Sequence, residues 1–109
     1  MANIDPFVAL ADPTRRRVFE AIAKHPYAVG ELSNFLPVSR PAISQHLKVL
    51  SDAGLVICRP EGTRRIYSAR PEGLAEIRAW LDKYWSELLE SFSSEVDRGS
   101  VIKNDRPYR

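Results

Sequence analysis

The chain has 109 residues, 44% hydrophobic and 28% charged, which suits one globular domain with a modest core and not two. Its first ten residues lack the basic start and apolar stretch of a signal peptide, and no apolar run reaches membrane-spanning length. The single cysteine, Cys58, excludes an intramolecular disulfide, so a cytoplasmic protein is expected. The net charge of +2 hides a segregation: residues 1–38 are neutral, 39–70 carry +4, 71–97 carry −5 and 98–109 carry +3. A basic middle followed by an acidic segment suggests an anion-binding module joined to a part with another task.

Residues 5–11 form a short apolar segment with Phe7, Val8 and Leu10. Asp12 as N-cap and Pro13 at the first helical position predict a helix over Pro13–Lys24, stopped by His25-Pro26. Val18 and Ile22, with Phe19 beside them, make its inner face. Arg16 and Arg17 point away from that face, and Arg15 points to the core edge, where a carboxylate such as Glu31 would meet it. Tyr27–Val29 reads as an extended link. Gly30–Leu36 reads as a third helix with Leu32, Phe35 and Leu36 inward, and Pro37-Val38 as a tight turn.

The stretch Ser39–Leu50, S-R-P-A-I-S-Q-H-L-K-V-L, is the most informative in the chain. Ser39 is an N-cap and Pro41 sits in the first turn, where a missing N–H costs nothing. At 100° per residue Ile43, His46, Leu47 and Leu50 share one arc, and Arg40, Pro41, Ser44, Gln45 and Lys48 share the other. No Asp or Glu occurs from Ser39 to Leu50. A helix face offering only positive charge and hydrogen-bonding groups suits a polyanion, and Gln and Arg are side chains that read base edges bidentately. Two helices joined by so short a turn, the second with such a face, match a helix-turn-helix.

Gly54 ends this helix as a C-cap glycine. Leu55–Arg59 and Arg64–Ala69 read as strands around a Pro60–Thr63 turn, a hairpin whose tip carries Arg59, Arg64 and Arg65 against Glu61 alone. A basic hairpin directly after a recognition-type helix reads as a wing, placed along a phosphate backbone or in a minor groove. Arg70-Pro71 then opens a last helix to Val96. Its stripe of Leu74, Ile77, Trp80, Leu81, Tyr84, Trp85, Leu88, Leu89, Phe92 and Val96 covers nearly half the circumference, more than the roughly 100° that a small domain needs from one helix. The surplus points to a second subunit; a first helix folded back over the stripe is the intramolecular alternative.

The words L-A-D-P-T-R-R-R-V-F at Leu10–Phe19, G-E-L at Gly30–Leu32, V-S-R-P-A-I-S-Q-H-L-K-V-L-S-D-A-G-L-V at Val38–Val56 and R-P-E-G-T-R-R-I-Y at Arg59–Tyr67 resemble the ArsR-type winged-helix repressors. The resemblance covers about residues 5–92. It implies a mainly α winged helix-turn-helix with a small β-hairpin; residues 1–97 are read as the DNA-binding and dimerisation domain, and 98–109, which have no periodicity, as a tail. It further implies a homodimer joined through Phe7 and Leu10 on the first helix and Leu74, Ile77, Leu81, Tyr84, Trp85, Leu88 and Phe92 on the last. Such a dimer would bind an inverted repeat in double-stranded DNA, usually at its own promoter. Ser39, Arg40, Ser44, Gln45 and His46 would then face bases, while Lys48, Arg59, Arg64 and Arg65 would serve phosphates or the minor groove, with Pro41 and Thr63 on the same surfaces. For Arg40 both base and phosphate stay open, and for His46 the choice is between a DNA contact and a packed ring bonded to a backbone carbonyl.

The departures from the family are equally specific. Members that sense metal before the recognition helix carry E-L-C-x-C, where this chain has Glu31-Leu32-Ser33-Asn34-Phe35. Zinc sensing on the last helix needs paired histidines and acids there, and the only histidines are His25 and His46. The chain is therefore similar to the metal-independent branch with a Trp-rich last helix: no metal and no cofactor are expected, and a small-molecule effector is left without identity. Cys58 on its strand reads as a small hydrophobe. No Gly-rich phosphate loop, ligand cluster or nucleophile–base set supports an enzyme. The rival to DNA binding is a winged helix whose basic face docks an acidic protein partner.

Overall fold

A computed structural model describes residues 3–97, with side chains through residue 93; the expected tail over 98–109 and the side chain of Val96 lie outside the described residues. The elements run α1 (Pro6–Ala11), α2 (Pro13–Lys24), α3 (Val29–Phe35), α4 (Arg40–Asp52), β1 (Val56–Glu61), β2 (Arg64–Ala69), a 3-10 turn (Pro71–Leu74) and α5 (Ala75–Asp97). They fall into two compact units, one ending at Ile77 and the other beginning at Arg78.

In the first unit the helix starts are set by side chains that accept otherwise orphaned N–H groups. Asp12 Oδ1 accepts from the backbone N–H of Thr14 at 2.9 Å and of Arg15 at 3.0 Å, and Ser39 Oγ accepts from Ala42 at 3.3 Å. The apolar segment over residues 5–11 is itself a helix, begun by Asp5-Pro6 in the same way: the Asp5 carboxylate accepts from Phe7 N–H at 2.8 Å. Val18, Phe19 and Ile22 of α2, Leu32 of α3 and Ile43, Leu47 and Leu50 of α4 meet Ala9 of α1 and Leu55 and Val56 in one buried core. The i, i+4, i+7 spacing on α4 gives three fully buried side chains, each worth roughly 1.5–3 kcal/mol of burial. That leaves the opposite arc of α4 outside.

Several expectations need correction here. The carboxylate beside Arg15 is that of Asp12, at 4.0 Å, and not Glu31; the guanidinium also donates to the carbonyls of Ala9 at 2.7 Å and Val8 at 3.4 Å, and Arg16 donates to Leu10 O at 2.6 Å. The two arginines satisfy C-terminal carbonyls of α1, which like those at any helix end have no N–H partner within the helix. Phe35 is 52% exposed and not inward, because a helix of seven residues offers the core one full position, taken by Leu32; the Phe35 ring rests 5.2 Å from that of Tyr27. The hairpin is tighter than a four-residue turn: pairing runs on through Pro60↔Arg65 and Glu61↔Arg64, leaving Gly62-Thr63 as the loop with Gly62 at φ +66°. In a two-stranded ribbon every outward position is an edge, so Pro60 sits in the strand without removing a ladder bond. Tyr27 exchanges two backbone hydrogen bonds with Tyr67, at 3.1 and 2.8 Å, and so pins the base of the hairpin. The last helix is also interrupted at its start, where Pro71–Leu74 forms a 3-10 turn before α5.

In the second unit α5 carries an i,i+4 ion pair, Arg78–Asp82 at 3.6 Å, and a tilted Trp80–Tyr84 ring contact with centroids 5.1 Å apart. Trp80, Leu81, Tyr84, Trp85, Leu88, Leu89 and Phe92 are all exposed, Leu88 by 67%. Among the described residues no helix is long and apolar enough to cross a membrane.

Candidate nucleic-acid interface

The cap at Ser39, the turn before it and the buried arc of α4 fix which side chains face out. Ser39, Arg40, Pro41, Ser44, Gln45 and Lys48 are exposed, and His46 is half-buried at the edge of the apolar arc. Ser44 and Gln45 make no side-chain hydrogen bond to any described residue, so their donors and acceptors stay available to a ligand. Lys48 Nζ lies 3.4 Å from the Asp52 carboxylate, a solvent-exposed pair that holds the lysine only weakly. His46 bonds no backbone carbonyl among the described residues; its ring lies close enough to Asp12 to act electrostatically on that carboxylate.

On the wing, Arg59, Thr63, Arg64 and Arg65 are exposed. The packing of α3 between α4 and β2 then does what no local pattern shows. It opens a cleft of about 560 Å³ lined by residues 28–31 and Asn34 of the α3 region, Arg40 of α4, and Thr63, Arg64 and Arg65 of the wing. Four expected contact residues, Arg40, Thr63, Arg64 and Arg65, are thereby gathered on one concavity. Lys48 and Arg59 do not line it; Arg59 stands on β1 opposite Ile66. The guanidinium of Arg40 passes beside Gly30, where a Cβ would stand 3.0 Å from Nη2. A side chain at Gly30 would therefore push Arg40 out of its present place.

Of the polar side chains in this cleft, the sequence reading placed neither Asn34 nor Glu31 there. Asn34 lies one turn after Glu31 on the same face of α3, and that i+3 spacing was the available signal. Glu31 itself closes the cleft on one side: its Oε1 accepts from Ala28 N–H at 2.8 Å and pairs with Arg64 Nη2 at 2.9 Å. The Ala28 N–H, and secondarily the Arg64 charge, hold the Glu31 carboxyl below the usual carboxylate range. Asp12 is lowered likewise, first by the Arg15 N–H and then by that of Thr14. In the wing, Cys58 faces Tyr67 across the ladder, and burial, with the neighbouring Cys58, pushes the Tyr67 hydroxyl up. Among the described residues no three His, Cys, Asp or Glu side chains come together as metal ligands.

Residues 12–57, from the α2 cap through the start of β1, match the family described as "Bacterial regulatory protein, arsR family". The HTH-type transcriptional regulator Rv2034 of Mycobacterium tuberculosis is 55% identical over 89 residues, covering 82% of this chain and 83% of the relative. A crystal structure of an ArsR family transcriptional regulator aligns with a TM-score of 0.68 at 33% identity, over 78% of this chain and 92% of the other. The solution structure of a homodimeric winged helix-turn-helix DNA-binding domain from Mycobacterium bovis aligns with a TM-score of 0.60 at 29% identity, over 79% and 80%. With its helix-turn-helix, its wing and the cleft between them, the chain belongs to the ArsR family of winged helix-turn-helix transcriptional regulators.

Proposed function

We propose that the protein is a cytoplasmic homodimeric repressor that binds an inverted repeat in promoter DNA, its own promoter included, and acts by covering that DNA. The observation that carries the reading is the cleft that gathers Arg40, Thr63, Arg64 and Arg65 beside the unbonded, outward Ser44 and Gln45 of α4. Helix α4 enters the major groove. Ser39, Ser44 and Gln45 face base edges there, with Pro41 against the groove wall and His46 at the margin of the contact. Arg40 lies in the cleft with the wing arginines, which supports a phosphate contact over a base contact for this residue. Lys48, Arg59, Arg64 and Arg65 neutralise backbone charge around it, and Thr63 contributes the hairpin tip.

The dimer reading rests on the exposed stripe from Trp80 to Phe92, where seven large apolar side chains face outward on one helix. Aromatic residues in such a patch are enriched at interface cores. Phe7, Leu10, Leu74 and Ile77, all half-buried, extend the proposed contact.

The test is a gel shift on the gene's upstream region competed with scrambled duplex, repeated with Gln45→Ala. Wild type should prefer the upstream duplex. The variant should lose about 1–3 kcal/mol there and relax one or two base pairs per half-site. Binding that follows charge alone, indifferent to duplex sequence, would favour an acidic protein partner instead.

A further inference from the structure

The basic cleft contains one acid, and that acid is built in. Glu31 is fixed from below, where its Oε1 accepts the Ala28 N–H at the start of α3, and it reaches Arg64 Nη2 at 2.9 Å above. Arg64 is the first residue of β2, directly after the Gly62-Thr63 loop, on a hairpin whose base is pinned by Tyr27 and Tyr67. Both side chains of the ion pair are about half exposed, 51% for Arg64 and 45% for Glu31, so solvent screens the pair and it opens at small cost. Arg40 and Arg65, the other cations of the cleft, have no carboxylate partner among the described residues. A carboxylate presents to a guanidinium much the same pair of anionic oxygens as a phosphate does.

We propose that Glu31 is an internal competitor for the wing: it holds the place on Arg64 that a DNA phosphate takes, so that binding exchanges carboxylate for phosphate and Glu31 sets how tightly the protein holds duplex of any sequence. This rests on the DNA-binding reading of the cleft. While Glu31 is present the cleft brings three cations and one anion to the backbone, and the carboxylate released from Arg64 is left facing the phosphates. With the anion removed, the same cleft brings three cations. Glu31 is thus a restraint on backbone binding to operator and non-operator duplex alike, positioned by a helix start and not by the wing.

Glu31→Gln isolates the charge, because glutamine still offers an oxygen to the Ala28 N–H. A thermal melt close to that of wild type checks that α3 survives. Affinity for operator and for scrambled duplex is then measured across a salt series in wild type, Glu31→Gln, Arg64→Ala and the double variant. Glu31→Gln is expected to tighten both duplexes about three- to tenfold at moderate salt and to steepen the log–log salt slope by roughly one unit per DNA-bound subunit. Most of the gain should be lost in the Arg64→Ala background, since the competition is for Arg64 and only the repulsion between the carboxylate and the phosphates is then left. Weaker or unchanged binding by Glu31→Gln would overturn the proposal, the first outcome meaning that Glu31 aims Arg64 at DNA. A gain that persists undiminished without Arg64 would overturn it too, reducing Glu31 to background charge. Failure of the wild type to bind either duplex would instead remove the DNA reading itself, and this proposal with it.

Discussion

Gly73 backs onto Gly54 so closely that a Cβ at Gly73 would fall 2.1 Å from the Gly54 carbonyl oxygen and 2.8 Å from its carbonyl carbon. Gly54 is itself the residue that turns the chain out of α4, at φ +75°, and its carbonyl accepts from Arg70 Nη1 at 3.3 Å. The end of α4 and the 3-10 turn that leads into α5 are therefore in backbone-to-backbone contact. The obstacle at Gly73 is main chain, which cannot swing aside as a long side chain does. Gly73→Ala is expected to destabilise the protein by about 1–3 kcal/mol, the usual cost of forcing atoms into a packed site. Urea unfolding measures it, and an unchanged midpoint would show that the contact relaxes freely.

The pairing face gives a second prediction. Trp85→Glu or Leu88→Glu puts a charge in the middle of the stripe, on side chains that are 60% and 67% exposed within one chain. Such a substitution should leave the fold of the winged helix alone while abolishing self-association. Sedimentation should report a wild-type dimer and variant monomers at tens of micromolar. The monomers should hold a single half-site weakly and lose the complex with two half-sites spaced by one helical turn or a multiple of it. A monomeric wild type at that concentration would sink the dimer reading.

What was legible in the sequence was whatever is written locally. Asp12-Pro13, Ser39 and Gly54 announce helix ends through capping chemistry, and each stands where that chemistry places it. Strand β2 could be read at both ends, because R-R-I-Y-S-A is bounded by a glycine turn and a proline. Asp5-Pro6 carries the same signal as Asp12-Pro13, yet six residues are too few for periodicity to reveal a helix. Pro60 reads locally as a turn, but register is decided by the partner strand, which carries it into the ladder. The candidate site was half legible. The outward arc of α4 follows from its period, whereas the Glu31–Arg64 pair and the meeting of Arg40 with the wing depend on how α3 packs. Nothing near either partner in the chain encodes that.

Acid should weaken the fold through the two lowered carboxylates. The Asp12 carboxyl is held down by the N–H groups of Arg15 and Thr14, and Glu31 by that of Ala28 and then by Arg64. A carboxylate whose folded value lies below its unfolded one contributes stability above the unfolded value and loses it as pH falls through the folded one. Stability should therefore be level near neutrality and decline below about pH 5. Asp12→Asn keeps a good N-cap without the titrating charge, so its acid decline should be shallower than that of wild type. Urea midpoints at a series of pH values check this; parallel curves for the two proteins would count against it.

Release of DNA should not depend on metal ions or on Cys58. A tight zinc site takes four N, S or O ligands, and arsenite or cadmium asks for thiolates. The chain has one cysteine, so a dimer supplies at most two thiolates. Cys58 stands on β1 opposite Tyr67, in the wing and not on the helices proposed to pair. The family's metal-sensing cysteine positions are filled here by Ser33 and Phe35, one a weak ligand and the other none. His25 caps the C-terminus of α2 and His46 sits in the middle of α4, and neither belongs to a cluster of three ligating residues among those described. Cys58→Ser should accordingly bind the upstream duplex as wild type does. Zinc, cadmium or arsenite at modest excess should leave the wild-type complex intact in the gel shift. A stoichiometric loss of binding with any of these ions, reversed by a chelator, would contradict this and would require ligands from carboxylates or from a partner subunit.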